Sequence, residues 1–304
     1  MSDLHPPICD YEGSDYQRTF WEEGGRAYED AVEAIALRRL LPEGGQRVLD
    51  LGAGAGRNAP RYTGFQQIVL LDYSHTMLEQ AQARLGTSDR YLYVAADGYA
   101  LPFAPGVFDT VVMVRVLHHM ADPQAVLRQV AGILGSKGAF VLEFANKRNL
   151  KAIGRWAIGR QAWSPFRPEP IEFLPLHFDF HPRTVRAWLT ALGMTVERTL
   201  TVSHFRAAAL KRTVPLSWLV RADSWAQRTG GLWQLSPSVF VRSRGGVQPA
   251  AAEGAFWRCP NCLSLDLSRA AAGWACNGCR AVWPVNKGIH DFRRPLPAPG
   301  SPRL

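Results

Sequence analysis

The sequence predicts an α/β fold: a twisted, mostly parallel seven-stranded sheet flanked by helices, with a small cysteine-bearing module after it. Three observations predict it. An apolar run at residues 48–51 stops abruptly at Gly52, Gly54 and Gly56, the pattern of a buried parallel strand entering a glycine turn that opens a helix. Further short apolar runs follow, spaced by helix-length segments. Beyond a linker stand two Cys-x-x-Cys pairs, Cys259/Cys262 and Cys276/Cys279.

In chain order, residues 1–26 read as an N-terminal arm, with Tyr11, Tyr16, Phe20 and Trp21 among many polar residues. Such an arm covers a bound ligand or packs on the outside of the domain, and outside packing is its commoner use. Residues 27–41 form a helix with Val32, Ile35, Ala36, Leu40 and Leu41 on one face, ended by Pro42-Glu43-Gly44-Gly45. The first strand then carries Asp50 to its carboxyl end, where open α/β sheets bind ligands. A second strand, 68–71, ends in Asp72, twenty residues after Gly52 and placed to accept hydrogen bonds from both hydroxyls of a ribose. Ser74 or Thr76 caps the next helix, which Met77, Leu78, Ala81 and Leu85 pattern. A third strand, 91–95, leads into Asp97-Gly98, and a fourth, 108–114, leads into Leu117-His118-His119 and a helix over 123–134. Residues 138–144 give the fifth strand.

A dinucleotide fingerprint requires Gly-x-Gly-x-x-Gly, and from Gly52 the sixth position is Arg57. The pattern present is Asp-x-Gly-x-Gly-x-Gly, which resembles motif I of the class I S-adenosylmethionine (SAM)-dependent methyltransferases. With the strand-end acids Asp50, Asp72 and Asp97, the resemblance implies a Rossmann-like methyltransferase sheet over residues 27–244. It also implies a SAM site at Asp50, Gly52, Ala53, Gly54, Gly56, Asp72, Tyr73, Met77, Asp97, Gly98 and Val114. In the resembling family an acid at the position of Asp97 faces the exocyclic amine of adenine. His118 and His119 are the candidate general bases, needed only if the methyl acceptor must lose a proton. A histidine pair here is equally common in that family as architecture. Val114-Arg115-Val116-Leu117 stands where amino-methylating nucleic-acid enzymes carry Asn/Asp-Pro-Pro-aromatic, which argues against methylation of an exocyclic base amine.

The later part of the domain is less regular. Residues 147–160 read as a basic, partly amphipathic helix and 163–170 as a Pro-rich loop. His177, Asp179 and His181 alternate on an extended segment, a pattern that could bind a metal. The stronger reading makes His181 the residue before a helix opened by Pro182. Strand six is 195–202 and strand seven is 238–242, with 206–231 inserted between them, and the resemblance implies that strand seven runs antiparallel. Leu210, Leu216, Leu219, Val220 and Trp225 lie on helices of that insertion, with Arg206, Lys211, Arg212, Arg221 and Arg228 among them. The insertion is either substrate surface or a packed helical decoration.

Residues 243–254 are a linker by composition. The following pattern, Cys-x2-Cys-x13-Cys-x2-Cys, gives four thiolates at the spacing of a tetrahedral Zn²⁺ site, and residues 255–295 read as a separate zinc ribbon. With Trp283-Pro284-Val285 and Gly288-Ile289, this segment resembles the small zinc-binding activator subunit of tRNA and protein methyltransferases. Cys9 has no partner and reads as incidental.

The net charge of +9 is uneven. Residues 151–250 hold 14 Lys and Arg against 5 Asp and Glu, while the other segments together balance. That excess suits an acidic substrate such as RNA, an anionic membrane surface, or a solvated face without a partner. No run of about 18 apolar residues is present to span a membrane, and residues 1–7 lack a signal-peptide pattern, so the expected location is cytoplasmic. Three functions stay open: methyl transfer to a small-molecule or lipid-linked acceptor, methyl transfer to RNA, and a non-catalytic SAM-binding scaffold that docks a partner through its zinc module.

Overall fold

The computed structural model describes residues 6–14, 19, 21, 23–245 and 254–297. Tyr16 and Phe20 of the arm, and residues 246–253 of the linker, lie outside the described residues. Helix α1 (Ala27–Leu40) leads into β1 (Gly45–Leu51), then β2 (Phe65–Asp72), α2 (His75–Leu85), β3 (Tyr91–Ala95), β4 (Phe108–Met113), α3 (Pro123–Ile133) and β5 (Leu134–Ala145). Next come α4 (Leu150–Ala157), the hairpin β6 (Ile171–Leu174) and β7 (His177–Asp179), α5 (Pro182–Ala191) and β8 (Thr195–Val202). The insertion holds α6 (Ala208–Thr213) and α7 (Leu216–Ala226) before β9 (Ser238–Arg244). The C-terminal segment adds β10 (Leu267–Ala270), β11 (Gly273–Cys276), β12 (Val282–Asn286) and β13 (Ile289–Asp291).

The expected seven-stranded sheet is present in the order β3-β2-β1-β4-β5-β9-β8. Its first five strands run parallel, and β9 is antiparallel to both β5 and β8. Strands β1, β2, β4 and β5 are buried on both faces, which is why they read as unbroken apolar runs. The helices start at residues whose side chains fill orphan N–H groups. Ser74 accepts from the Met77 N–H, Asp122 from Ala125 and Asn149 from Ala152. His181 does the same for α5, where its Nδ1 accepts from the Arg183 N–H just before Pro182. The alternating His177, Asp179 and His181 are therefore not a metal set: His181 caps a helix, and among the described residues only the four cysteines cluster as metal ligands.

The C-terminal segment departs from expectation. It is not a separate body. Strand β13 pairs in parallel with β3, Ile289 opposite Tyr93 and Asp291 opposite Ala95, so the sheet continues through β12, β11 and β10 to eleven strands. The aromatic residues between the linker and the first cysteine lock the same joint. Trp257 stacks on Phe103 at 5.7 Å and forms a bridge with it, and the Ala104 N–H donates to the Phe256 carbonyl at 2.9 Å. Trp257, Cys259, Cys276, Trp283 and Phe292 share one continuous core with Leu49, Val111 and Phe140 of the main sheet. A second core on the opposite sheet face joins α1 and α2 to β1, β2 and β3.

Candidate functional site

The carboxyl ends of β1 to β4 surround an open cleft. Gly52, Ala53 and Gly54 form its floor, and Asp72, Tyr73 and Met77 one wall. Asp97, Gly98, Val114 and His119 complete the expected set that reaches it. Gly52 sits at φ +73°, and a Cβ there would meet Val116 Cγ2 at 2.2 Å, so no side chain fits. Asp72 anchors the glycine loop: its two oxygens accept the N–H groups of Gly54 at 2.8 Å and Ser74 at 2.9 Å. Burial still raises its pKa above the ordinary carboxylate value, against the lowering pull of those bonds.

Three expected residues do not line the cleft. Asp50 is buried beneath the loop, and burial pushes its carboxyl up to about 7. Gly56 instead lets the loop pack on α2, since a Cβ there would meet Leu85 Cδ1 at 2.7 Å. The His118 ring is displaced inward, its Nδ1 buried without a hydrogen-bond partner and its basicity suppressed mainly by burial.

The histidine pair is joined by a third member that spacing could not reveal. His177, from the β6–β7 hairpin, packs edge-on to His119 with ring centroids 4.7 Å apart, while His118 lies 4.1 Å from His119. His119 Nδ1 lies 3.1 Å from the Leu176 carbonyl, which can only accept, so Nδ1 carries the hydrogen. Nε2 is then free to accept from the Tyr11 hydroxyl at 3.2 Å. Burial is the main cause that lowers the His119 pKa to about 4. Its folded value is below the ordinary 6.5, so its neutral form stabilises the fold fully above pH 6.5, and that contribution is lost as pH falls towards 4. The stability gap between the wild type and His119→Asn, read from urea midpoints, is therefore expected to narrow between pH 7.5 and 5; an unchanged gap contradicts the neutral assignment.

The arm does not pack on the outside. Ile8, Cys9, Tyr11 and Trp21 line the cleft, so Cys9 has a place there too, and burial raises its thiol pKa. Trp21 lies under Arg57 at 3.6 Å and Arg115 at 4.9 Å. Both arginines bond to the fully buried Glu33 of α1: Arg57 at 2.8 Å, Arg115 through Nε at 2.8 Å and Nη2 at 2.5 Å. Arg115 holds φ +62° and donates its N–H to Glu143 Oε2 at 2.8 Å. Sequence reasoning missed Glu33. The signal was there: Glu29, Val32, Glu33, Ala36 and Leu40 share one helical face, so two acids lie on a buried stripe.

Behind the Tyr73 wall and outside the cleft lining, Arg293 forks onto Asp291 at 3.0 and 2.6 Å and reaches the Tyr73 carbonyl at 3.1 Å. The four cysteine sulfurs lie within 4.8 Å of one another, with Cys259–Cys279 at 3.6 Å and Cys262–Cys276 at 3.5 Å. Those distances are far too long for a disulfide and close to the ~3.8 Å edge of a tetrahedron with 2.3 Å Zn–S bonds, so the donor set fits Zn²⁺.

Residues 49–142 match a family model described as "Methyltransferase domain". The chain is 30% identical over 138 residues to the 27-O-demethylrifamycin SV methyltransferase of Amycolatopsis mediterranei, across 43% of this chain and 51% of that protein. It is 33% identical over 106 residues to the demethylmenaquinone methyltransferase of Clavibacter sepedonicus, across 34% of this chain and 43% of that one. It thus spans about half the length of the curated relatives it matches. Among solved structures, a SAM-dependent methyltransferase from Mesorhizobium loti superimposes with a TM-score of 0.53 at 24% identity, over 72% of this chain and all of that one. A chain of the complex between the Haloferax volcanii Trm112 methyltransferase activator and the putative methyltransferase gives 0.52 at 20%, over 76% and 96%. Such identities speak to architecture alone, and on that ground the chain has the Rossmann-like α/β methyltransferase fold.

Proposed function

We propose that the protein is a SAM-dependent methyltransferase acting on a small-molecule or lipid-linked acceptor. The observation that carries this reading is the Asp72 carboxylate at the cleft, fixed by the N–H groups of Gly54 and Ser74. SAM supplies an electrophilic methyl group when bound. The chain's own residues do the rest. Gly52 and Gly54 leave room for close approach to bare backbone, and Asp72 offers its oxygens to ribose hydroxyls. Asp97 and Gly98 flank the adenine end. Tyr11 and Trp21 close the cleft against water and present aromatic faces that attract a cation. His119 Nε2, neutral and unprotonated, accepts a proton from an acceptor that displaces the Tyr11 hydroxyl. The four cysteines hold Zn²⁺ in a structural role, and their module stands in the same chain where the resembling activator is a separate subunit.

The relatives' names favour a small acceptor, a demethylrifamycin or a demethylmenaquinone, or a small acyl group borne on a carrier protein. Methyl-labelled SAM is incubated with fractionated cell extract, and label is counted in the lipid, metabolite, RNA and protein pools. Label in the lipid or metabolite pool is expected. Label in RNA would overturn the acceptor class, and SAM binding without label anywhere would leave a scaffold. In parallel, Asp72→Ala is expected to weaken SAM binding by about 1–3 kcal/mol by leaving ribose hydroxyls unpaired. Calorimetry that finds unchanged affinity removes Asp72 from the site.

A further inference from the structure

Apolar side chains in solution normally turn inward, yet one face of this protein turns large ones out. On α7, Leu219 and Asp223 are buried, the latter bonded to the Tyr28 hydroxyl of α1 at 2.6 Å. The opposite face of the same helix presents Trp218 (71% exposed) and Trp225 (72%), seven residues apart and so on one side. The chain then leaves the helix through Leu232 (90%) and Trp233 (62%). The first turn of α4 joins this loop directly, the Leu150 N–H donating to the Leu235 carbonyl at 2.9 Å. There Leu150, Trp156 and Ile158 are also exposed, with Phe166 edge-on to Trp156 at 5.5 Å. Scattered exposed apolar residues need no explanation, but eight large ones gathered on two segments joined at Leu150 and Leu235 mark a surface that is covered in use.

The charge around the set narrows what covers it. Lys151, Arg155 and Arg160 interleave with the α4 residues, and Arg221 and Arg228 with those of α7, all exposed. Of the five acids in residues 151–250, Asp223 is buried, Glu197 is bonded to Arg242 and Arg244, and Glu169 and Glu172 are exposed beyond α4, so the basic residues of the two helices outnumber the free acids near them. Tryptophan beside leucine and isoleucine, rimmed by Lys and Arg, is the composition of a surface that lies in the headgroup layer of a bilayer. Single-stranded nucleic acid also uses aromatic and basic residues, but stacking on bases has no use for exposed Leu150, Ile158 and Leu232. None of the described helices is long and apolar enough to cross a membrane, so contact would be peripheral.

We propose that the α4–α7 face is a peripheral docking surface for an anionic lipid bilayer. The geometry relates it to the cleft. Strand β8 runs parallel to β5, since both are antiparallel to β9. The segments leaving their carboxyl ends, α4 and the insertion, therefore lie along the sheet edge where the cleft opens. An acceptor held in the bilayer is thus presented near His119; that part of the inference rests on the proposed methyl transfer, while docking itself does not.

The test is co-sedimentation of the full chain with vesicles of phosphatidylglycerol mixed into phosphatidylcholine, and of phosphatidylcholine alone. Anionic vesicles are expected to bind at least about tenfold more tightly. The triple variant Trp218→Ala, Trp225→Ala, Trp233→Ala is expected to lose at least about tenfold of that binding while SAM affinity, measured by calorimetry on the same preparation, stays unchanged. Intact SAM affinity also shows that the variant folds, so loss of vesicle binding and failure of the methyltransferase reading are separable. Absence of binding to anionic vesicles overturns the proposal, as does equal binding by the variant. So does a gel shift with single-stranded RNA in place of vesicle binding, or a self-associated form that the triple variant disperses.

Discussion

Replacing Glu33 with alanine is expected to destabilise the protein by about 3–5 kcal/mol, the cost of stripping the partner from buried charges. The carboxylate has no exposure and bonds to two guanidinium groups, those of Arg57 and Arg115. Burial alone would raise its pKa, but the Arg115 and Arg57 charges outweigh burial and hold it below the ordinary carboxylate range. Both arginines also line the cleft, stacked over Trp21. The loss should therefore appear twice, as a lower urea midpoint and as weaker SAM binding. Glu33→Gln keeps the shape and one acceptor, and is expected to recover part of the stability. A Glu33→Ala protein within about 1 kcal/mol of wild type would show that the arginines find other partners.

Removing the zinc proposed for the four cysteines is the second large perturbation. Metal binding to a small cysteine module is on the order of 10–16 kcal/mol of coupled folding energy, so a strong chelator should release one zinc per chain and melt the segment that holds β13. Because that segment shares its core with the main sheet, the unfolding midpoint of the whole protein is expected to fall by on the order of 10 °C. SAM affinity is expected to fall too, since Arg293 braces the Tyr73 carbonyl only while β13 is paired. Colorimetric zinc release with neither effect would make the metal an ornament of the ribbon.

Much of the fold was legible because its signals are local. Strands β1, β2, β4 and β5 are buried on both faces and read as apolar runs, and β8 matches the expected 195–202. The glycine loop was legible because positive φ and close packing leave only glycine at 52 and 56. The unread features are those that join distant segments. His177 meets His119 across 58 residues of sequence, and the alternation around His177 marks an extended segment without naming what that segment packs against. Strand β13 is equally short, and nothing in Ile289-His290-Asp291 announces that its partner is Tyr93-Val94-Ala95. Glu33 was passed over because the pattern of α1 was read from its apolar residues alone, and an acid on a buried face declares itself only once Arg57 and Arg115 are seen to meet it. Asp50 and His118 both stand at strand ends, but Asp50 is buried beneath the glycine loop and His118 is half-buried with its Nδ1 shut away from the cleft.

The pairing of β13 with β3 also fixes a stoichiometry. A sheet edge offers unpaired N–H and C=O groups to any extended chain that reaches it, and a covering strand on a separate molecule must compete by concentration and affinity. Here the covering strand belongs to the same polypeptide, so its capture is a ring closure whose effective concentration is set by the connecting segment and lies near the millimolar range. Each sheet therefore receives one cover of its own, independent of how much of any partner the cell supplies.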